Sequence, residues 1–260
     1  LEPKLFFLAD KCVGCGACAL ACMKNAVSIV GDKASTDRTI CDGCGKCCPV
    51  CLNEARRISG EVKTAGEVAD TACKDKMFFD ASGGGVTLSG GEVLFQSDFS
   101  AAILALCKEK GVHTAIETCG FGSYDKLSKL LEHTDLVLYD LKHMDNERHK
   151  AGTGVGNELI LENAIRICKN TNKQFIARVP VIPGFNDTEE NMRMLAEFIQ
   201  NKLERPINVH LLPYHRLGES KLDHLERPGK RSELVPPSDD HMKELSGILE
   251  SYGIETVIGG

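Results

Sequence analysis

The chain has 260 residues, 42% of them hydrophobic, and a formal net charge of −6, a balance that supports a buried core and excludes a disordered or collagen-like polypeptide. No run of about eighteen apolar residues occurs, and the opening LEPKLFFLADK carries neither a basic leader nor a small-residue cleavage site, so neither a membrane span nor secretion is expected and the cytoplasm is the expected compartment. With no Trp, four Tyr and an acidic balance, there is no basic, aromatic-studded surface for nucleic acid.

Cysteine divides the chain, since nine of the 13 lie between Cys12 and Cys51. The first run reads Cys12-x2-Cys15-x2-Cys18-x3-Cys22 and returns 29 residues later as Cys41-x2-Cys44-x2-Cys47-x3-Cys51. This is the spacing of two-cluster bacterial ferredoxins, in which three thiolates hold one [4Fe-4S] cluster and the fourth reaches the other. Cys12, Cys15, Cys18 and Cys51 are therefore expected at one cluster, and Cys41, Cys44, Cys47 and Cys22 at its mate. Gly14, Gly16, Gly43 and Gly45 stand between ligands, where tight turns leave backbone N–H groups for sulfur. The Pro that commonly follows the fourth Cys is Met23 in the first run and Leu52 in the second, with Pro49 upstream. Ala26 and Ala55 each follow the fourth ligand by four residues, which keeps Cys51 rather than Cys48 in register, although Cys48 competes. A disulfide scaffold lacks a secretory context, and paired zinc sites use two separated CxxC knuckles rather than four-Cys runs. Cys73, Cys107, Cys119 and Cys168 read as small buried hydrophobes, Cys107 completing a stripe with Phe99, Ala102, Ile103 and Leu106.

From about residue 64, short apolar runs alternate with amphipathic helices, which predicts parallel βα units. Five strands are expected, at Val86–Ser89, His113–Glu117, Leu136–Lys142, Phe175–Ile182 and Ile207–Leu212. Helices are expected to start near Ser97, Ser123, Asn157 and Asp187, the last with Glu190 as a capping box and a face of Met192, Leu195, Ala196, Ile199 and Leu203. A final helix spans about Asp239 to Tyr252 with Gly253 as its cap. Polar or glycine residues recur where the strands should end: Gly90, Gly91 and Glu92; Glu117 and Thr118; Asp140 and Lys142; Arg178; and Pro213, Tyr214 and His215. Each alone reads as a turn or a surface pair, but together they mark the rim on which βα barrels place active sites.

The segment Ser82-Gly83-Gly84-Gly85-Val86-Thr87-Leu88-Ser89-Gly90-Gly91-Glu92, followed by IETCG, LYDLK, RVPVIPG and LLPYH, closely resembles the activating enzymes of glycyl radical enzymes, pyruvate formate-lyase activase-like members of the radical SAM superfamily. The resemblance covers nearly the whole chain and implies an α/β fold: a partial (β/α)6 TIM-like barrel over 64–260 lacking its first strand here, with a bacterial-ferredoxin-like insert domain over 1–63. It implies that Gly90, Gly91 and Glu92 meet the ammonium of S-adenosyl-L-methionine (SAM) and that Lys142 meets its carboxylate. Glu117, Thr118, Asp140 and the neighbouring Leu141 would complete that cofactor site, with acceptors that can also hold a monovalent cation, and His215 would contact the nucleoside. Arg178 either orients the partner's glycine loop or closes a structural ion pair.

The implied mechanism runs from a low-potential donor such as flavodoxin or ferredoxin, through the two insert clusters, to a third [4Fe-4S] cluster. Reductive C–S cleavage of SAM then gives a 5'-deoxyadenosyl radical that takes a hydrogen from one glycine of a partner dehydratase or lyase, in an anaerobic setting. The family's CxxxCxxC loop for that third cluster, expected just before the insert, is taken as absent there and downstream. Residue 1 thus reads as an internal position, and SAM cleavage by the chain as written is doubtful. A two-cluster electron-transfer protein on a barrel scaffold is the alternative reading. It leaves the rim residues without a purpose, and a purely structural iron–sulfur module explains nothing after residue 60.

Overall fold

In the computed structural model, which describes residues 4–216, 218, 224–225 and 234–259, contacts divide the chain into two units, Leu1–Val62 with His215–Glu233, and Lys63–Tyr214 with Leu234–Gly260. The first unit is built on its repeat. Strands β1 (Lys4–Phe7) and β2 (Val27–Val30) become, after a shift of 29 residues, β3 (Lys33–Thr36) and β4 (Arg56–Ser59). The repeats exchange partners: β1 pairs antiparallel with β4, and β2 with β3. Equivalent loops are tied alike, with Asp37 N–H bonded to the Ala26 carbonyl at 2.8 Å and Leu8 N–H to that of Ala55 at 2.8 Å. Asn25 and Glu54, three residues beyond each fourth cysteine, both take left-handed backbone at φ 53° and 51°. The core is small, with Leu5, Phe7, Val27, Ala34 and Ala55 packed against Cys18 and Cys47.

The second unit holds an open parallel sheet in the order β10, β9, β8, β7, β6, β5. Its strands are β5 (Gly85–Leu88), β6 (His113–Thr118), β7 (Leu136–Asp140), β8 (Gln174–Val181), β9 (Asn208–Pro213) and β10 (Thr256–Ile258). Among the described residues no ladder closes β5 onto β10, so the sheet is a partial barrel. Five strands fall where the apolar runs place them, and β10 is an addition that lies parallel to β9. Lys142 and Ile182, expected inside strands, lie just beyond the ends of β7 and β8.

The helices bury the faces their periodicity marks, with two corrections. In Ser97–Glu109 the buried apolar side chains are Ile103, Leu104 and Cys107, while Ala102 is exposed. This helix serves two cores at once, Leu104 facing the main sheet cluster and Ile103 with Cys107 the cluster of Val86 and Val112, so the buried face is turned toward Leu104. The helix Glu189–Lys202 is capped by Thr188, whose hydroxyl accepts from Asn191 N–H. Asp187 instead accepts from Gly184 N–H in the preceding turn. The helix Asp239–Ser251 ends at Gly253, φ 75°, where Ile254 N–H returns to the Leu249 carbonyl at 3.2 Å. Among the described residues no helix is long and apolar enough to cross a membrane.

Candidate metal centres and rim site

The eight cysteines of the two runs divide between two cavities. Cys12, Cys15, Cys18 and Cys51 line one cavity of about 200 Å³. Cys22, Cys41, Cys44 and Cys47 line a second of about 120 Å³. Each cavity thus takes three thiols from one run and one from the other. Among the described residues no three His, Cys, Asp or Glu side chains converge on a single ion; a four-iron cube, by contrast, stands between thiolates and keeps them apart. Backbone N–H groups point at the sulfurs: Ala26 to Cys22 Sγ and Ala55 to Cys51 Sγ, both at 3.3 Å, with Ala34 and Gly14 on Cys12 Sγ at 3.4 and 3.5 Å. Such donors offset thiolate charge without adding bulk. Gly14 and Gly16, at φ 67° and 78°, and Gly43 and Gly45, both at 73°, supply the left-handed turns that expose them.

Cys48 lines neither cavity, and burial, with the adjacent Cys47, pushes its thiol up to about 11. The reading that the CxxxCxxC spacing is absent needs correction, because Cys44, Cys48 and Cys51 have it. The three do not act together: Cys44 belongs to the second cavity, Cys51 to the first and Cys48 to neither.

Arg56, which the sequence pattern did not mark, lines the first cavity and is only 2% exposed. Its Nη1 donates to Thr36 Oγ1 at 2.9 Å, its guanidinium lies 5.1 Å over the Phe7 ring, and its Nε and Nη2 have no partner. Burial pushes the Cys47 thiol up, and Arg56 pulls it back. A buried cation with spare donors beside four thiols fits an anionic cluster. The available signal was the broken repeat, since the equivalent of Arg56 is Val27.

The strand ends of the second unit form a linked polar row. Gly90 and Gly91 are left-handed at φ 86° and 76°, and a side chain at either would meet no atom within 4 Å. Glycine is required there by the backbone, and the space beside it is open. The carboxylate of Glu92 accepts from Thr118 Oγ1 at 2.6 Å, from Cys119 N–H at 2.9 Å and from Leu94 N–H at 3.2 Å. Thr118 Oγ1 in turn accepts from Gly120 N–H at 2.9 Å. Both side chains are therefore occupied in fastening the glycine loop to the end of β6. Burial, and after it Glu92, pushes the Cys119 thiol up to about 11.

Glu117 accepts from Ser89 Oγ at 2.6 Å and pairs with Arg178 Nη1 at 2.7 Å, so of the two roles open to Arg178 the structure shows the ion pair. Asp140 pairs with Lys142 at 3.1 Å. Burial raises the Asp140 carboxyl above its ordinary range, although Lys142 and Arg178 pull it back. Leu141 is buried in the core, and its N–H bonds the Arg178 carbonyl at 2.9 Å, so only its main chain takes part in the rim. Asn186, fully buried, was also missed. Its amide nitrogen donates to the Lys142 and Pro180 carbonyls at 2.6 and 2.8 Å, and its oxygen accepts from Ile182 N–H at 2.7 Å, which joins the loops after β7 and β8. His215 belongs to the first unit and not to the unit that carries the other rim residues.

The family description "Radical SAM superfamily" fits residues 39–198, and "4Fe-4S binding domain" fits residues 6–28. The (2S)-3-sulfopropanediol sulfolyase activating enzyme of Bilophila wadsworthia is 44% identical over 96% of this chain and 83% of its own length. The trans-4-hydroxy-L-proline dehydratase activating enzyme of Clostridioides difficile is 35% identical over 99% of this chain and 85% of its own. Among solved structures, a domain of pyruvate-formate lyase-activating enzyme from Bacteroides vulgatus superposes with a TM-score of 0.58 at 32% identity, covering 68% of this chain and 99% of that one.

Proposed function

Because this chain belongs to the radical SAM superfamily, and within it to the activating enzymes of glycyl radical enzymes, we propose that it activates a partner lyase or dehydratase by removing a hydrogen atom from one backbone glycine. The observation that carries the reading is the open Gly90–Gly91 turn together with the Asp140–Lys142 pair at the strand ends, which an electron carrier does not need. The division of eight cysteines between two cavities, four to each and drawn from both runs, supports the electron path. We assign a [4Fe-4S] cluster to each set, ferredoxin-like residues 1–63 as the domain that holds them, and residues 64–260 as the SAM-binding partial barrel. When bound, the clusters supply low-potential electrons, and SAM with a further [4Fe-4S] cluster supplies the hydrogen-abstracting chemistry.

The protein's own groups then have distinct tasks. The amides of Gly14, Ala26, Ala34 and Ala55 offset the charge of the thiolates they touch. Gly90 and Gly91 leave the sheet edge open to an ammonium. Lys142 balances a carboxylate, and Asp140 beside it supplies acceptors to an ammonium or a monovalent cation. Glu92 and Thr118 are positioning residues that hold the glycine loop in place. Glu117 and Arg178 fix one another across the sheet, and His215 is assigned to the nucleoside. An external flavodoxin or ferredoxin delivers the electron, in an anaerobic cytoplasm.

The test is anaerobic incubation of the reconstituted protein, expressed from its whole reading frame, with SAM and a low-potential reductant. Release of 5'-deoxyadenosine and methionine that needs both reagents is expected. No release from protein carrying its full iron would contradict the proposal.

A further inference from the structure

The first unit repeats so closely that its departures stand out. A shift of 29 residues carries Ala26 onto Ala55, Cys22 onto Cys51 and β2 onto β4, each pair similarly placed about its own cavity. It also carries Val27 onto Arg56. Val27 lines the cavity of Cys22, Cys41, Cys44 and Cys47, and Arg56 lines that of Cys12, Cys15, Cys18 and Cys51. A buried guanidinium is costly unless paired, and among the described residues no carboxylate pairs with Arg56. Thr36 and the Phe7 face occupy one side of it, and Nε and Nη2 have no protein partner.

What would balance Arg56 is a cluster wrapped by four thiolates, whose net charge is negative and becomes more so on reduction. A fixed cation and donors to sulfur favour the more negative state, and so raise the reduction potential. From this we infer that Arg56 donates to the cluster at Cys12, Cys15, Cys18 and Cys51 through its free Nε and Nη2 and raises that cluster's potential. It acts more weakly on the second set through Cys47. The inference rests on the two-cluster reading of the proposed function.

The experiment compares the full-length protein with Arg56→Val, Arg56→Gln and Arg56→Lys by anaerobic redox titration followed by electron paramagnetic resonance, with iron and sulfide assayed on each. Cys51→Ala and Cys22→Ala identify which signal belongs to which cluster. A parent in which Cys51→Ala and Cys22→Ala remove no separate cluster signals would sink the two-cluster reading itself. With two present, Arg56→Val is expected to lower the first cluster's potential by at least a tenfold change in its oxidised-to-reduced ratio, which is 59 mV for one electron. The second cluster should shift less, and Arg56→Lys should lie between Val and the parent. Unchanged potentials in variants that keep both clusters would overturn the role of Arg56 alone. So would loss of the first cluster's iron in all three variants, which would make Arg56 a folding residue only.

Discussion

A thiolate is as good a cluster ligand as the donors around its sulfur allow, and here the two thiols that cross between runs are the ones with matched amides, Ala26 on Cys22 and Ala55 on Cys51. Cys22→Ala and Cys51→Ala are each expected to lose the iron of one insert cluster, removing different paramagnetic signals, while Cys48→Ala retains it. Equal iron in parent and both crossing variants would refute the crossed arrangement. Glu92 belongs at the same scale, because its carboxylate holds three donors. Hydrogen bonds to a charged group contribute about 1.5–3 kcal/mol each when well shielded, so Glu92→Ala at this partly open rim should cost about 2–4 kcal/mol of unfolding free energy. SAM affinity should fall with it, and urea unfolding with calorimetric titration measures both; unchanged stability would contradict the fastening role. The grouping of the eight thiols about two cavities was legible, because the spacing of each run brings three of its thiols to one cavity. Arg56 and Asn186 were not, since a strand side chain facing a cavity and an amide bridging two loops obey no local pattern. Glu92 was found, but its task was not: which atoms a carboxylate meets depends on β6, distant in sequence.

The strands set the chemistry by aligning their ends, Asp140 opposite Arg178 and Arg178 opposite His210. Asp140 sits partly buried there, and desolvation raises its carboxyl pKa. The folded value lies above the unfolded one, so the associated stability is fully present below the unfolded pKa and is lost as pH rises through the folded value. Relative to Asp140→Asn, the parent should therefore gain stability as pH falls from neutral into the carboxylate range, as read by urea unfolding across pH. A difference that does not vary with pH would contradict the burial of the charge. Five parallel strands were legible because each is an apolar run bounded by turn residues. The sixth escaped: β10 has three residues directly after a helix cap, too short to give a pattern. The helix Ala65–Ala72 escaped for another reason, its apolar face being made of small residues such as Ala69, although its Thr64 and Glu67 capping box could have been read.

Two units of different construction share the chain. The sheet unit has an extensive core of aliphatic side chains. In the repeat unit the core is a handful of residues, two of them cysteines assigned to clusters. A core that small depends on its metal, because ligation free energy is folding free energy. Anaerobic chelation of iron should therefore abolish hydrogen-exchange protection in β1 to β4 while leaving β5 to β9 protected. Equal protection with and without iron would show that the repeat unit folds unaided. The parallel sheet of the second unit was legible from the alternation of apolar runs and helices. The assignment of His215 to the first unit was not, since it arises from the chain's return to that unit. The account as a whole is tested most directly by mixing the reduced, reconstituted protein with SAM and a glycyl radical enzyme of the sulfolyase or dehydratase class, and recording the electron paramagnetic resonance spectrum. A glycine-centred radical on the partner, absent without SAM and absent when the partner's glycine is replaced by alanine, is the predicted result. Cluster reduction and SAM cleavage with no such radical on any partner of these classes would contradict it.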